Sequence, residues 1–194
     1  MISSLIEKYH YLREIIYNKK ISKRLGTVGE GSVIVRPCLL QGGALKEIHI
    51  GENTRIQSHS VLECWDKFGD QDFAPAITIG SNCKIGEYSH ITACNRITIG
   101  NGMLTGRFIL ITDNSHGSLC LDNSSIPPIK RPLVSKGEIV IGNNVWLGDK
   151  VTICGGVHIG DNVIIGANSV VTRDIPANSM AAGIPARVIK QISL

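Results

Sequence analysis

Apolar positions recur along this chain with a period of six. From Ile139 to Pro176 it reads IVIGNN, VWLGDK, VTICGG, VHIGDN, VIIGAN, SVVTRD, then Ile-Pro. Each unit is a triplet with apolar or small outer residues, followed by a three-residue turn usually opened by glycine. Strand side chains alternate, so the outer residues of a triplet share one side. This predicts Ile139/Ile141, Val145/Leu147, Val151/Ile153, Val157/Ile159, Val163/Ile165 and Ser169/Val171 facing inward. Val140, Trp146, Thr152, His158, Ile164 and Val170 then face outward. A period of six fits neither a helix nor a long alternating strand. It is a solenoid signature, and the fold class it predicts is an all-β solenoid.

The rhythm can be followed back to Gly26. Triplets fall at 26–28, 32–34, 38–40, 48–50, 54–56, 60–62, 77–79, 83–85, 89–91, 97–99, 103–105 and 109–111, then from 139 onward. With three triplets per turn of a triangular coil, every long spacer (41–47, 63–76, 92–96, 112–138) falls between a third face and the next first face. The loops at 63–76, 92–96 and 112–138 therefore stack along one corner. They carry Trp65, Asp66, Asn95, Arg96, Asp113, Asn114 and His116. Loops held by a rigid scaffold are where function concentrates. The longest, 112–138, has no clear strand or helix pattern, and PPIKRP stiffens it into a protruding arm. An insertion of that length in a compact fold is usually functional.

Residues 1–25 break the rhythm. Leu5, Ile6, Tyr9, Leu12, Ile15 and Ile16 recur at helical spacing, uninterrupted by Gly or Pro until Gly26. One reading is an amphipathic helix that caps the open end of the solenoid, as terminal units must. The other sets Lys19, Lys20, Lys23 and Arg24 against a membrane surface as a weak contact. The coil is expected over 26–176, ended by Pro176, with a closing segment at 177–194 that carries Arg187 and Lys190.

At 194 residues the chain is one domain with appendages. A net charge of +4 and the absence of any nucleic-acid motif argue against a nucleic-acid partner. Six cysteines with no C-x-x-C, no signal peptide and no membrane-spanning run point to reduced thiols in a cytoplasmic protein.

The motifs IGNNVWLG, VIIGANSVVTRDIP and AAGIPARVIK resemble the hexapeptide-repeat acetyltransferases. The resemblance is specific over 139–190, holds in rhythm over about 48–138, and is absent from the N-terminal helix. Within that family it points to maltose/galactoside O-acetyltransferases and enzymes that acetylate capsular or lipopolysaccharide sugars. It implies a left-handed parallel β-helix, an exception to the usual right-handed crossover. It also implies a homotrimer with acetyl-CoA held between subunits and no metal requirement.

By position, the resemblance makes Asp149 and Ala167 contacts of the pantetheine arm and sets Trp146 beside the active site. It makes Thr172 and Arg173 a pair near the cofactor, and Arg187 and Lys190 partners of the CoA phosphates, chemistry suited to a guanidinium or ammonium. The family's catalytic His follows a strand just before the long loop, where ILITDNSHG offers His116. Members of this group often read D-H-x-H-G, and here Asn114 stands at the first His position. Imidazole ionises near neutrality, so it can accept a hydroxyl proton at working pH. Asp113 or a backbone carbonyl is expected to orient it. Trp65, Asp66, Asn95, Asp113 and Asn114 are the expected acceptor contacts.

The leading function is O-acetyl transfer from acetyl-CoA to a sugar or polysaccharide precursor, by direct attack in a ternary complex. N-acetylation of an amino sugar, or acetylation of a xenobiotic, would use the same scaffold. A γ-carbonic-anhydrase-like enzyme needs three His around one zinc. The six His (10, 49, 59, 90, 116, 158) show no short-spaced pair suited to it. A purely structural solenoid would need neither the loop His nor the basic closing motif.

Overall fold

The structure, a computed structural model, describes residues 2–117 and 125–192. Three parallel sheets form the walls of a triangular coil, a left-handed parallel β-helix. The first face holds Thr27–Val28, Ile48–Ile50, Ala76–Ile79, Arg96–Ile99, Ile139–Ile141 and His158–Ile159. The second holds Val33–Ile34, Arg55–Ile56, Lys84–Ile85, Leu104–Thr105, Trp146–Leu147 and Ile164–Ile165. The third holds Cys38–Gln41, Ser60–Cys64, His90–Ala93, Leu110–Thr112, Thr152–Cys154 and Val170–Val171.

Register stacks like on like. Ile48, Ile77, Ile97 and Ile139 lie in one column, each at most 1% exposed. Burying each such side chain is worth about 1.5–3 kcal/mol relative to exposure. The inward set expected over 139–171 is buried throughout.

Two of the three corners turn through left-handed residues. Asn53, Asn82, Asn144, Asn162 and Asn178 fill that slot between first and second faces, and Asn tolerates positive φ well. Between second and third faces the slot holds His59, Tyr88, Phe108, Lys150 and Asn168. Tyr and Phe are poorer there, but His59, Tyr88 and Phe108 stack at 4.7 and 4.9 Å, nearly parallel, at the strand spacing of the coil. At the same corner Gly86 has no room for a side chain, since a Cβ would collide with the carbonyl of Gly106.

Every longer connection leaves the third-to-first corner. The expected loop 92–96 is shorter, because His90–Ala93 and Arg96–Ile99 leave only Cys94 and Asn95 between them. The arm at 112–138, expected without strands, contains an antiparallel hairpin of Asn114–His116 with Leu133–Ser135. Part of the arm, 118–124, with Cys120, lies outside the described residues. The five described cysteines are free thiols.

The coil also runs past Pro176. Ile175 bridges to Ile159, and Ser179–Gly183 adds a strand to the second face. Ala186–Gln191 then folds back antiparallel and closes that sheet. Pro176 sits at a corner, outside any strand, and so does not stop the coil.

The helix α1, Ile2–Ser22, lies against the first coil with a different face from the one its apolar pattern predicts. Ile21 and Leu25 enter the core, while Leu12, Ile15 and Ile16 are exposed. The reason is the open sheet edge, whose backbone groups need partners. Tyr17 supplies its hydroxyl to Cys38, accepting from N–H at 2.7 Å and donating to C=O at 3.0 Å. Asn18 does the same for Ile34 at 2.8 and 2.9 Å. Glu14 pairs with Arg36 at 3.1 Å. An apolar stripe can satisfy none of these groups.

Candidate active site

At the third-to-first corner a neighbouring hairpin holds the arm hairpin at two points. Gln71 lies on a small antiparallel hairpin, Lys67–Phe68 with Gln71–Asp72. Its amide carbonyl accepts the Leu133 N–H at 2.7 Å, and its amide nitrogen donates to the Leu133 carbonyl at 3.1 Å. Phe68 on the same hairpin meets the His116 ring edge-on at 5.2 Å. His116 is otherwise exposed, and among the described residues no carboxylate or carbonyl is hydrogen-bonded to its imidazole.

Asp113 does not take the role expected of it. It is 1% exposed, and its two oxygens accept the N–H groups of Cys94 and Asn95 at 2.9 Å each. A carboxylate so enclosed braces the corner, and among the described residues no hydrogen bond joins it to His116. Asn114 donates to Asp113 at 3.1 Å, so the residue at the first His position of the motif is tied into the same brace. A cavity of about 210 Å³ opens beside it, walled by Thr112, Ser115, Val134, Lys136 and Cys154.

The other expected acceptor contacts share this corner. Asp66 accepts the Gly43 N–H at 3.1 Å, pinning the insertion to the preceding corner. Trp65 donates its indole N–H to Glu63 at 3.2 Å. His90 Nε2 lies 3.0 Å from the same Glu63 oxygen, off the line of a directed hydrogen bond. It is a close polar contact that becomes an ion pair when the imidazole is protonated. Asn95 is exposed, with its backbone engaged by Asp113 and Ala76.

A second concavity runs along the second-to-third corner. Trp146, Asp149 and Ala167 line a groove of about 490 Å³ with Ile164, Met180 and Ile189. Asp149 accepts the Arg107 N–H at 2.8 Å. Lys190 lines an adjoining cavity of about 330 Å³ that shares Ile164 and Met180 with the groove. Arg187 is exposed on the same closing strand. Thr172 and Arg173 are exposed at the third-to-first corner instead, across the third face from the groove.

Burial pushes the thiols of Cys64 and Cys94 up to about 12, with nearby carboxylates adding to the rise. Neither is a nucleophile at neutral pH.

Sequence reasoning missed Gln71, Phe68, Glu63 and His90. The Gly69-Asp70 pair between Lys67-Phe68 and Gln71-Asp72 is a two-residue hairpin signal that would have found the first two. Glu63 and His90 meet only because register sets adjacent strands side by side.

The structure is thus a three-sided coil of six-residue repeats, with a histidine-bearing arm at one corner and an apolar groove at another. The family pattern "Bacterial transferase hexapeptide (six repeats)" matches residues 138–173. The chain is 37% identical over 163 residues to the putative lipopolysaccharide biosynthesis O-acetyl transferase WbbJ of Escherichia coli K12, covering 82% of this chain and 78% of that one. It is 40% identical over 178 residues to the galactoside O-acetyltransferase of the same organism, covering 89% and 67%. The crystal structure of the hexapeptide-repeat acetyltransferase VCA0836 from Vibrio cholerae, complexed with acetyl-coenzyme A, superposes with a TM-score of 0.56 at 25% identity, covering 89% and 74%. The chain belongs to the hexapeptide-repeat acetyltransferases.

Proposed function

We propose that the protein moves acetyl from acetyl-CoA to a hydroxyl of a sugar or polysaccharide precursor, with His116 as general base. The observation that carries this reading is the arm. Its hairpin presents one exposed imidazole at the third-to-first corner, and a side-chain amide and an aromatic edge hold it there. In the proposed step the acceptor hydroxyl loses its proton to His116 as its oxygen bonds to the thioester carbonyl. The tetrahedral intermediate then expels the CoA thiolate, which takes the proton from His116. No serine is paired with His116 among the described residues, so direct transfer is favoured over a covalent intermediate.

The groove lined by Trp146, Asp149 and Ala167 suits the pantetheine arm, being mostly apolar, with Gly106, Gly148 and Gly166 exposing backbone to it. Lys190 in the adjoining cavity and Arg187 nearby suit the phosphates. The resemblance also assigns Thr172 and Arg173 to the cofactor. Since they lie across the third face, they would meet CoA held by a neighbouring copy. The same division supports a homotrimer. Groove and imidazole sit at opposite ends of third-face strands three to four residues long, so about 10–15 Å separates the two corners. A second copy presenting its arm to this groove would complete the site. We place the reaction in the cytoplasm and in polysaccharide biosynthesis, the process named for one E. coli relative.

The test is release of free CoA from acetyl-CoA in the presence of monosaccharides, nucleotide sugars and amino sugars, with His116→Ala as control. Turnover on a sugar hydroxyl is expected. Turnover confined to amine acceptors would replace O-transfer by N-transfer.

A further inference from the structure

The outward face of α1 is unaccounted for by the coil, by the candidate site, or by the cap. One stripe, Glu14, Tyr17, Asn18, Ile21 and then Leu25, faces the first coil. At 100° per residue, Leu12, Ile16 and Lys19 lie on the opposite stripe, with Lys20 at its edge and Lys23 in the turn directly after the helix. Leu12 and Ile16 are 56% and 64% exposed, and the three lysines are exposed beside them. Among the described residues none of these lysines is held in an ion pair.

Charge along the chain is uneven in the same place. Of 20 basic and 16 acidic residues, six basic and two acidic fall in residues 1–25. The remaining chain holds 14 of each sign, so the whole net charge of +4 belongs to this helix and its exit.

We propose that this face docks on an anionic lipid bilayer. Leu12 and Ile16 would enter the interface, while Lys19, Lys20 and Lys23 run their stems along it and set their ammonium groups among the headgroup phosphates. The charge pattern selects this occupant. A second copy of the same helix, laid face to face, would bring lysine against lysine, whereas an anionic surface complements all three at once. The docked stripe is left intact, because capping and membrane contact use opposite sides of the helix. No helix among the described residues is long and apolar enough to cross a membrane, so contact would be interfacial. The surface would meet the first coil's end, leaving the arm exposed at the side of the coil.

The experiment is co-sedimentation of the full chain with vesicles of phosphatidylcholine alone and with about 30% phosphatidylglycerol. Binding is expected only with the anionic lipid and should weaken at high salt. K19Q/K20Q/K23Q should reduce partitioning roughly 100-fold, at about fivefold per lysine. Ile16→Asp should also reduce it while leaving circular dichroism and CoA release unchanged. Three results would overturn the proposal: no binding of the native chain to anionic vesicles, binding unaltered by both variants, or a change in oligomeric mass in Ile16→Asp. The last would make the face an interface between copies. None of these results bears on the acetyl-transfer assay in solution, so the two readings fail separately.

Discussion

Replacing Gln71 by alanine removes both hydrogen bonds that tie the arm to the neighbouring hairpin. Each protein hydrogen bond contributes about 1 kcal/mol net, so the pair is worth about 2 kcal/mol. Leu133 is 6% exposed, so water recovers little of what its N–H and C=O lose. The loss falls on docking of the arm, because both bonds run from Gln71 to the arm strand at Leu133. About 2 kcal/mol is roughly a 30-fold rise in the population of undocked arm. Amide exchange at Leu133 should quicken by about that factor, while core amides such as Ile111 and Ile153 keep their protection. The melting temperature of the coil should hardly move. With the arm misplaced, kcat should fall and acetyl-CoA affinity should stay. Gln71→Glu separates the two bonds, since a carboxylate can accept from the Leu133 N–H but cannot donate to its carbonyl. It should not restore the native arm. Unchanged exchange at Leu133 in Gln71→Ala would refute the argument, whatever happened to activity.

His116→Ala is expected to lower kcat by roughly 10²–10⁴ with acetyl-CoA affinity intact, and near-normal turnover on the true acceptor would end the assignment. Arg187→Ala with Lys190→Ala should weaken acetyl-CoA by about 1–3 kcal/mol and weaken dephospho-CoA less, read by calorimetry. Ile153→Ala, at a fully buried third-face position, should cost about 2–5 kcal/mol in denaturant unfolding. For Cys64 and Cys94 the folded thiols hold their protons to about pH 12, the unfolded ones to about 9. Their contribution is therefore complete below pH 9. It declines as pH rises toward 12, by up to about 1.4 kcal/mol per unit per thiol, and alkaline unfolding curves would show it. A flat stability curve over that range would count against their burial.

The coil was legible because its rule is strict and local. A triplet's outer residues must be apolar or small wherever three faces close on one interior, so Ile97, Ile139 and Ile153 announce themselves. The helix face was misread for the opposite reason. Open strand edges need hydrogen-bonding side chains, and Tyr17 and Asn18 meet that need where an apolar pattern looked for Leu12 and Ile16. The arm hairpin was invisible because Asn114–His116 is polar and pairs with a strand well beyond its own turn. Asp113 was assigned to chemistry because a carboxylate beside a candidate base attracts that reading. Its burial depends on a corner two residues long, and the sequence rhythm made that corner five.

That short corner is also what positions the candidate base. The insertions at 65–75 and 113–138 leave the same edge of the coil two turns apart, about 10 Å at the strand spacing. A long loop at the turn between them would keep their hairpins from meeting. Cys94 and Asn95 fill that turn with two residues, and Asp113 draws both of their N–H groups inward with one carboxylate. The notch this leaves lets Gln71 reach Leu133 and Phe68 reach His116. The exposed imidazole therefore depends on a buried aspartate it never touches. Asp113→Asn illustrates the dependence. An amide can present only one oxygen where the corner needs two acceptors, so its nitrogen would face an N–H, loosening the notch and moving the arm even with His116 intact.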